Sequence, residues 1–262
     1  MFPIAHAWLI EWLVAAPTPA HYLGCTWPDM LFESPLSHTE SHRSGARLAD
    51  ALATLPAGPV RAEFRAFVIG ALSHGTEPHG FDWYSDEEYG GRPASERGYA
   101  FQQAAPIIGD AARACGVAPD VGWWKAHNIV EMAFEQPLYL AEPHLGAALA
   151  DACGDEALCQ RIAGVLAPLF GQPADALAGA MLRFPSVVTF APDTTQPQAE
   201  VYAVQTRLRH AGSAPDVAAI AALIERAQQM IAPTRDEYLA HCREAVALMI
   251  GATLPAADEG QA

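Results

Sequence analysis

An all-α fold is the class this sequence predicts, and three observations predict it. Alanine, leucine and arginine dominate many segments, and all three favour helix. Few windows alternate apolar and polar residues with period two, as a half-buried strand requires. Glycine and proline fall between the periodic runs, where they act as stop signals, as in "CGVAPD" and "FGQPAD".

Taken in order, a first helix is expected over 4–15, an apolar run that carries His6 and Glu11. Helices follow at 44–55 and 59–74, the latter ending "FVIGALSH" in His74. The run 95–115 stops at "CGVAPD", and 120–136 holds "WWKAHNIVEMAFE". Further helices are expected at 145–152, 155–169 and 173–183, the last two separated by "FGQPAD". Those at 198–210, 215–231 and 234–251 complete the chain, and "DVAAIAALIERAQQMI" shows apolar residues at helical spacing with Glu225 and Arg226 outside. Two long stretches, 17–43 and 75–94, read as irregular, and 184–198 reads as a connector. Loops this long in a compact helical protein are functional or disordered, and the Trp, Tyr, Phe and His in the first two disfavour disorder. A multi-helix bundle with long functional loops lining a site is the expectation.

With 262 residues, about half of them apolar, the chain can bury one large core or two modest ones. Thirty acids oppose one lysine, Lys125, and fourteen arginines, a net charge of −15. Such a field repels polyanions wherever no cation is bound, so nucleic acid is an unfavourable partner. The near lack of lysine and the absence of G-x-x-x-x-G-K also argue against a P-loop nucleotide enzyme. Five cysteines without CxxC spacing fit buried reduced thiols better than a disulfide framework. The opening "MFPIAHAWLIEWLVAAPTPA" lacks a basic leader and carries His6 and Glu11 within its apolar part, so a cytoplasmic protein is expected over an exported one. No run of apolar residues is long enough to span a membrane.

Eight of the ten histidines precede residue 145, which makes the first half the chemical half. Residues 1–140 read as a metal-binding catalytic helical core and 141–262 as a helical extension packed on it, with one continuous domain as the alternative. The most legible motif is His127 and Glu131, four apart on a helix. That spacing stacks both side chains on one face, so nitrogen and carboxylate can converge on one cation or simply bond each other. His6, Asp29 in "TWPD", His38 and His42 around "TES", and His74 each have a structural alternative, but several helices contributing one or two ligands is how bundles build multinuclear sites. "HGTEPHGFDWYSD" adds His79 and Asp82 as candidates, or a solvated acidic loop.

The succession of an early His, "YLGCTWPD", "SH" twice, "FVIGALSH" and "HNIVE" resembles the zinc-dependent phospholipase C family, related in fold to the S1/P1 nucleases. The resemblance covers roughly residues 1–140 and implies an all-α, phospholipase C/P1 nuclease-like bundle with a zinc cluster bound by His6, Asp29, His38 or His42, His74, His127 and Glu131. The family also places an aspartate four residues after the His at the end of its G-x-x-x-H helix. That position here is Pro78, so Glu77, His79 or Asp82 would replace it, and one or two Zn²⁺ ions are expected rather than three.

On this reading the protein is a metal-dependent hydrolase of a small-molecule or lipid-like phosphoester. A metal-activated water attacks phosphorus, with Asp29 and Glu131 as catalytic carboxylates. Trp27, Trp83, Tyr84, Trp123 and Trp124 could wall the site. A non-haem iron oxidase is the second expectation, weakened because no E-x-x-H pair is present. A third is a non-catalytic helical protein-binding module, or homo-oligomer, acting through residues 145–262.

Overall fold

Pro59 opens and Gly75 closes the helix formed by the apolar run that ends in "FVIGALSH". Proline fits the first helical position because its missing N–H would be unsatisfied there anyway. The computed structural model describes residues 3–32, 35–86 and 98–254, and no strand occurs among them. In the first half α1 spans Pro3–Leu13, α2 Pro19–Thr26, α3 His38–His42, α4 Gly45–Thr54, α5 Pro59–His74 and α6 Phe81–Asp86. In the second, α7 spans Tyr99–Ala104, α8 Ile108–Cys115, α9 Gly122–Ala141, α10 His144–Gly154 and α11 Glu156–Phe170. The chain continues with α12 at Ala174–Arg183, α13 at Thr195–Arg209, α14 at Val217–Ile231 and α15 at Arg235–Thr253.

The long helices follow the periodic runs. The expected loops do not. Residues 17–43 contain α2, a 3-10 turn over Trp27–Phe32 and α3, and α6 lies within 75–94; residues 33–34 and 87–94 are outside the described residues. Helices of five to eight residues are too short to show a periodic apolar stripe. Local capping sets α3 instead: Ser37 N–H donates to Glu40 Oε2 at 2.9 Å and Glu40 N–H to Ser37 Oγ at 3.3 Å. The expected helix 95–115 is also divided. Its first three residues lie outside the described residues, and Pro106, which has no N–H to donate, falls in a 3-10 turn between α7 and α8.

One connected set of buried apolar side chains runs from Ile4 to Leu254, so both halves of the chain share a core. Its deepest members include Trp27, Phe64 and Phe67. All five cysteines are buried free thiols, where burial raises Cys25, Cys115, Cys153, Cys159 and Cys242 above the usual thiol range. Lys125, the only lysine, is 1% exposed. Its ammonium lies 3.4 Å from Thr206 Oγ1 and 5.2 Å from the Tyr202 ring centroid, tying α9 to α13, and burial lowers it to about 8. No described helix is long and apolar enough to cross a membrane.

The packing that matters most for the site is the crossing of α2 and α5. A Cβ on Gly24 would stand 2.1 Å from the Phe67 carbonyl oxygen, and one on Gly70 would stand 2.3 Å from that of His21. The two backbones therefore touch, which only glycine permits. Gly24→Ala is expected to cost about 1–3 kcal/mol by overpacking. Gly164→Ala, on α11 where a Cβ meets nothing within 4 Å, should instead stabilise by about 0.5–1 kcal/mol. Urea denaturation of the two variants checks both signs.

Candidate metal centre

The α2–α5 contact fixes the end of α5 against the end of α2, and His74 uses it: its Nδ1 lies 2.6 Å from the Cys25 carbonyl oxygen. His42, the last residue of α3, places Nδ1 3.0 Å from the His38 carbonyl oxygen. On α9, His127 Nδ1 is 3.0 Å from Asn128 Oδ1. A carbonyl oxygen only accepts, so each Nδ1 carries a proton, which leaves Nε2 as the nitrogen that can offer a lone pair to a metal.

Those Nε2 atoms face carboxylates. Asp82 Oδ2 stands 3.0 Å from His74 Nε2 and 3.2 Å from His42 Nε2, and Asp82 Oδ1 stands 3.4 Å from His6 Nε2. Asp29 lies 3.7 Å from His42 Nε2 and 4.0 Å from His74 Nε2. A turn further along α6, Asp86 Oδ1 reaches His127 Nε2 at 2.7 Å, with Glu131 Oε1 at 3.3 Å. Ser85 Oγ donates to Glu131 Oε1 at 2.7 Å and holds it. Lone pair opposite carboxylate is repulsive unless a cation, proton or metal, lies between.

The position of His6 is secured separately. Glu135, one turn beyond Glu131 on α9, accepts the Ile4 N–H at 3.0 Å and the Ala5 N–H at 2.8 Å, capping the exposed amides at the start of α1. Burial nevertheless raises Glu135 to about 7. The His6 and His74 rings stack at 3.6 Å with 4° between planes.

The groups form two sets: one is a pair of triads that share His74, His6–His74–Asp82 and Asp29–His42–His74, and the other is Asp86, His127 and Glu131; within each triad the ligand atoms lie within 4.8 Å of one another. Asp29, His42 and Asp82 of the first set and all three members of the second open on one cleft, also lined by His38, Trp124, Gln205 and Arg209, while His6 and His74 lie behind it. A divalent metal passes a direct test of fit. His74 Nε2 is buried and makes no well-formed hydrogen bond although Asp82 Oδ2 stands 3.0 Å away, and three imidazoles have their far nitrogens already bonded to oxygen acceptors, the arrangement that orients histidine ligands.

In the metal-free protein, protons take the cation's place. Burial opposes charge on His42, yet Asp29 and Asp82 raise it to about 10, and Glu131 and Asp86 likewise raise His127 well above its usual value. Burial and then Glu131 push Asp86 well up. Burial also works to raise Asp29, Asp82 and Glu131, but neighbouring cationic groups, His42 and His127 among them, hold Asp29 and Asp82 well below the usual carboxylate value and lower Glu131. Burial, reinforced by His74, lowers His6 to about 3.

Among the sequence-derived candidates, His6, Asp29, His42, His74, Asp82, His127 and Glu131 come together. Two do not. His79 is exposed and stacks on Trp83 at 3.5 Å, because the turn after Gly75 carries it outward. His38 sits at the cleft's edge, stacked 3.8 Å over His42, with its carbonyl rather than its ring supporting that residue. Between the two histidines of "SH…SH", His42 is the one inside. Glu77 lies 3.5 Å from Arg43 at the surface, so Asp82 is the carboxylate that stands beside His74. Of the proposed aromatic wall only Trp124 lines the cleft. Trp27 packs against Phe67 and Phe170, Trp123 against Phe101, Trp83 against His79 and Tyr84 against His241.

Asp86, Asn128, Glu135, Gln205 and Arg209 were not anticipated. Asp86 had a signal, since Asp82 and Asp86 are four apart in "DWYSD", the same spacing that marks His127 and Glu131. Comparison with models of known protein families, with curated proteins and with solved structures finds no match to this chain.

Zinc binding at pH 7 is expected to release about one proton or more, because His42 and His127 must lose theirs to ligate. Calorimetric titration in two buffers of different ionisation enthalpy measures this. The raised value of His42 stabilises the metal-free fold fully below about pH 6.5 and progressively less as pH rises through about 10. Metal-free protein should thus lose stability across that window, and zinc-loaded protein should lose less, as thermal melts at pH 7 and pH 10 will show.

Proposed function

We propose that the protein is a metal-dependent hydrolase of a phosphoester, using one or two Zn²⁺ ions held by these two sets of residues. The observation that carries the reading is that members of both sets, drawn from helices far apart in sequence, open on a single cleft. The order of the ligand residues along the chain, which resembles that of the zinc-dependent phospholipase C family, supports the same reading. When bound, divalent zinc supplies Lewis acidity and makes a coordinated water acidic enough to attack near neutral pH.

The chain's own contribution is orientation and proton handling. Cys25 O, His38 O and Asn128 Oδ1 fix the three imidazoles with Nε2 beside the carboxylates that would share the metals with them. Asp29 lines the cleft and is ionised, and we assign it to accept the proton of the attacking water. Glu131, held by Ser85, is the second catalytic carboxylate, balancing positive charge beside His127. Trp124 stacks 5.2 Å from the His127 ring and offers an apolar wall for the ester's organic group.

Protein purified without chelators or a polyhistidine tag should contain zinc by elemental analysis. His127→Ala and Asp29→Ala should lose bound zinc and at least about a hundredfold in hydrolysis of bis-p-nitrophenyl phosphate, while Asn128→Ala should weaken zinc binding about 10–100-fold. Wild-type protein that carries no transition metal and takes up none would overturn the reading.

A further inference from the structure

The charges that line the cleft pose a question the metal ligands do not answer. Asp29, Asp82, Asp86 and Glu131 all reach it, and two divalent ions would do no more than neutralise these four carboxylates. The chain as a whole carries −15. Neutral imidazole ligands add nothing, so an anionic ester approaching the loaded site would meet no net attraction at a distance.

One side chain changes that balance. Among the described residues lining the cleft, Arg209 is the only arginine or lysine. It is the last residue of α13, where the helix dipole favours a cation, and the charge on Asp29 acts on its guanidinium. Gln205 lies four residues earlier and lines the same cleft, so the two side chains share one face of α13. The Gln205 amide is held in place by donating to the Val187 carbonyl at 2.7 Å.

We propose that Arg209, with Gln205 beside it, is the anion-binding residue of this cleft and makes its substrate an anionic phosphate ester rather than a neutral ester. The inference rests on the phosphoester reading and deepens it. A planar guanidinium can hold two phosphate oxygens side by side, leaving others to face the metals. Residues from opposite halves of the chain thereby meet on one substrate, with the cation supplied from α13.

Titration of inorganic phosphate into the zinc-loaded full chain tests this by calorimetry. Wild type should bind phosphate, with affinity falling as salt rises. Arg209→Ala should bind roughly ten- to a hundredfold more weakly at unchanged zinc content, and with a shallower salt dependence. Arg209→Lys should recover part of the affinity, because it restores the charge but not the fork. Equal phosphate binding by Arg209→Ala and wild type at equal zinc content would overturn this inference and leave the hydrolase reading standing. Loss of zinc from Arg209→Ala would also overturn it, by placing the arginine's role in the metal centre. Zinc-loaded wild type that binds no phosphate would overturn both.

Discussion

Four carboxylates and several imidazoles, most of them buried, gathered at one cleft constitute an electrostatic problem that the rest of the structure is built around. An isolated buried carboxylate is strongly disfavoured, and a group of them is tolerated only with cations interleaved. The described residues supply those cations as protons on His42 and His127 when no metal is present. The fold holds the groups together nonetheless, because contacts outside the cluster help to place them. Each is delivered by a helix or 3-10 turn that packs into the shared apolar core.

That division explains several details that look unrelated. The bare backbone contact at Gly24 and Gly70 sets the distance between α2 and α5, which in turn puts the Cys25 carbonyl under His74. Glu135 spends a buried carboxylate on the first amides of α1, and the consequence is a His6 ring stacked on His74. Lys125 and Gln198 perform the same service between α9 and α13, through Thr206 Oγ1 and the Met132 carbonyl. Polar side chains in the interior are thus used to register helices, and the apolar core supplies the energy.

Long helices were legible in the sequence because fifteen or more residues display the apolar stripe that burial requires, as α5, α9 and α14 do. Short ones were not, and α2, α3 and α6 were read as loop for want of enough turns to show a period. Most of the candidate cluster was legible for a chemical reason: histidine and aspartate beside apolar runs are conspicuous. The same reasoning singles out His79, which lies apart from the cluster: its neighbours in sequence resemble those of Asp82, and only the course of the chain through Gly75 and Gly80 separates them. Arg209 and Gln205 were missed because a polar residue on an amphipathic helix has an ordinary explanation, and sequence does not say which helix face turns toward a cleft formed by distant segments.

The burial of Lys125 reaches beyond packing. It is the chain's single lysine, it is enclosed between α9 and α13, and at about 8 its amine is easier to deprotonate than a solvated one. No other ε-amine exists on which acetylation, ubiquitin conjugation or amine-reactive cross-linking could act, so while this protein stays folded its lysine chemistry is closed. Acylation of that amine therefore reports on opening of the α9–α13 interface, which turns a solitary residue into an intrinsic probe of whether the two halves of the chain have come apart.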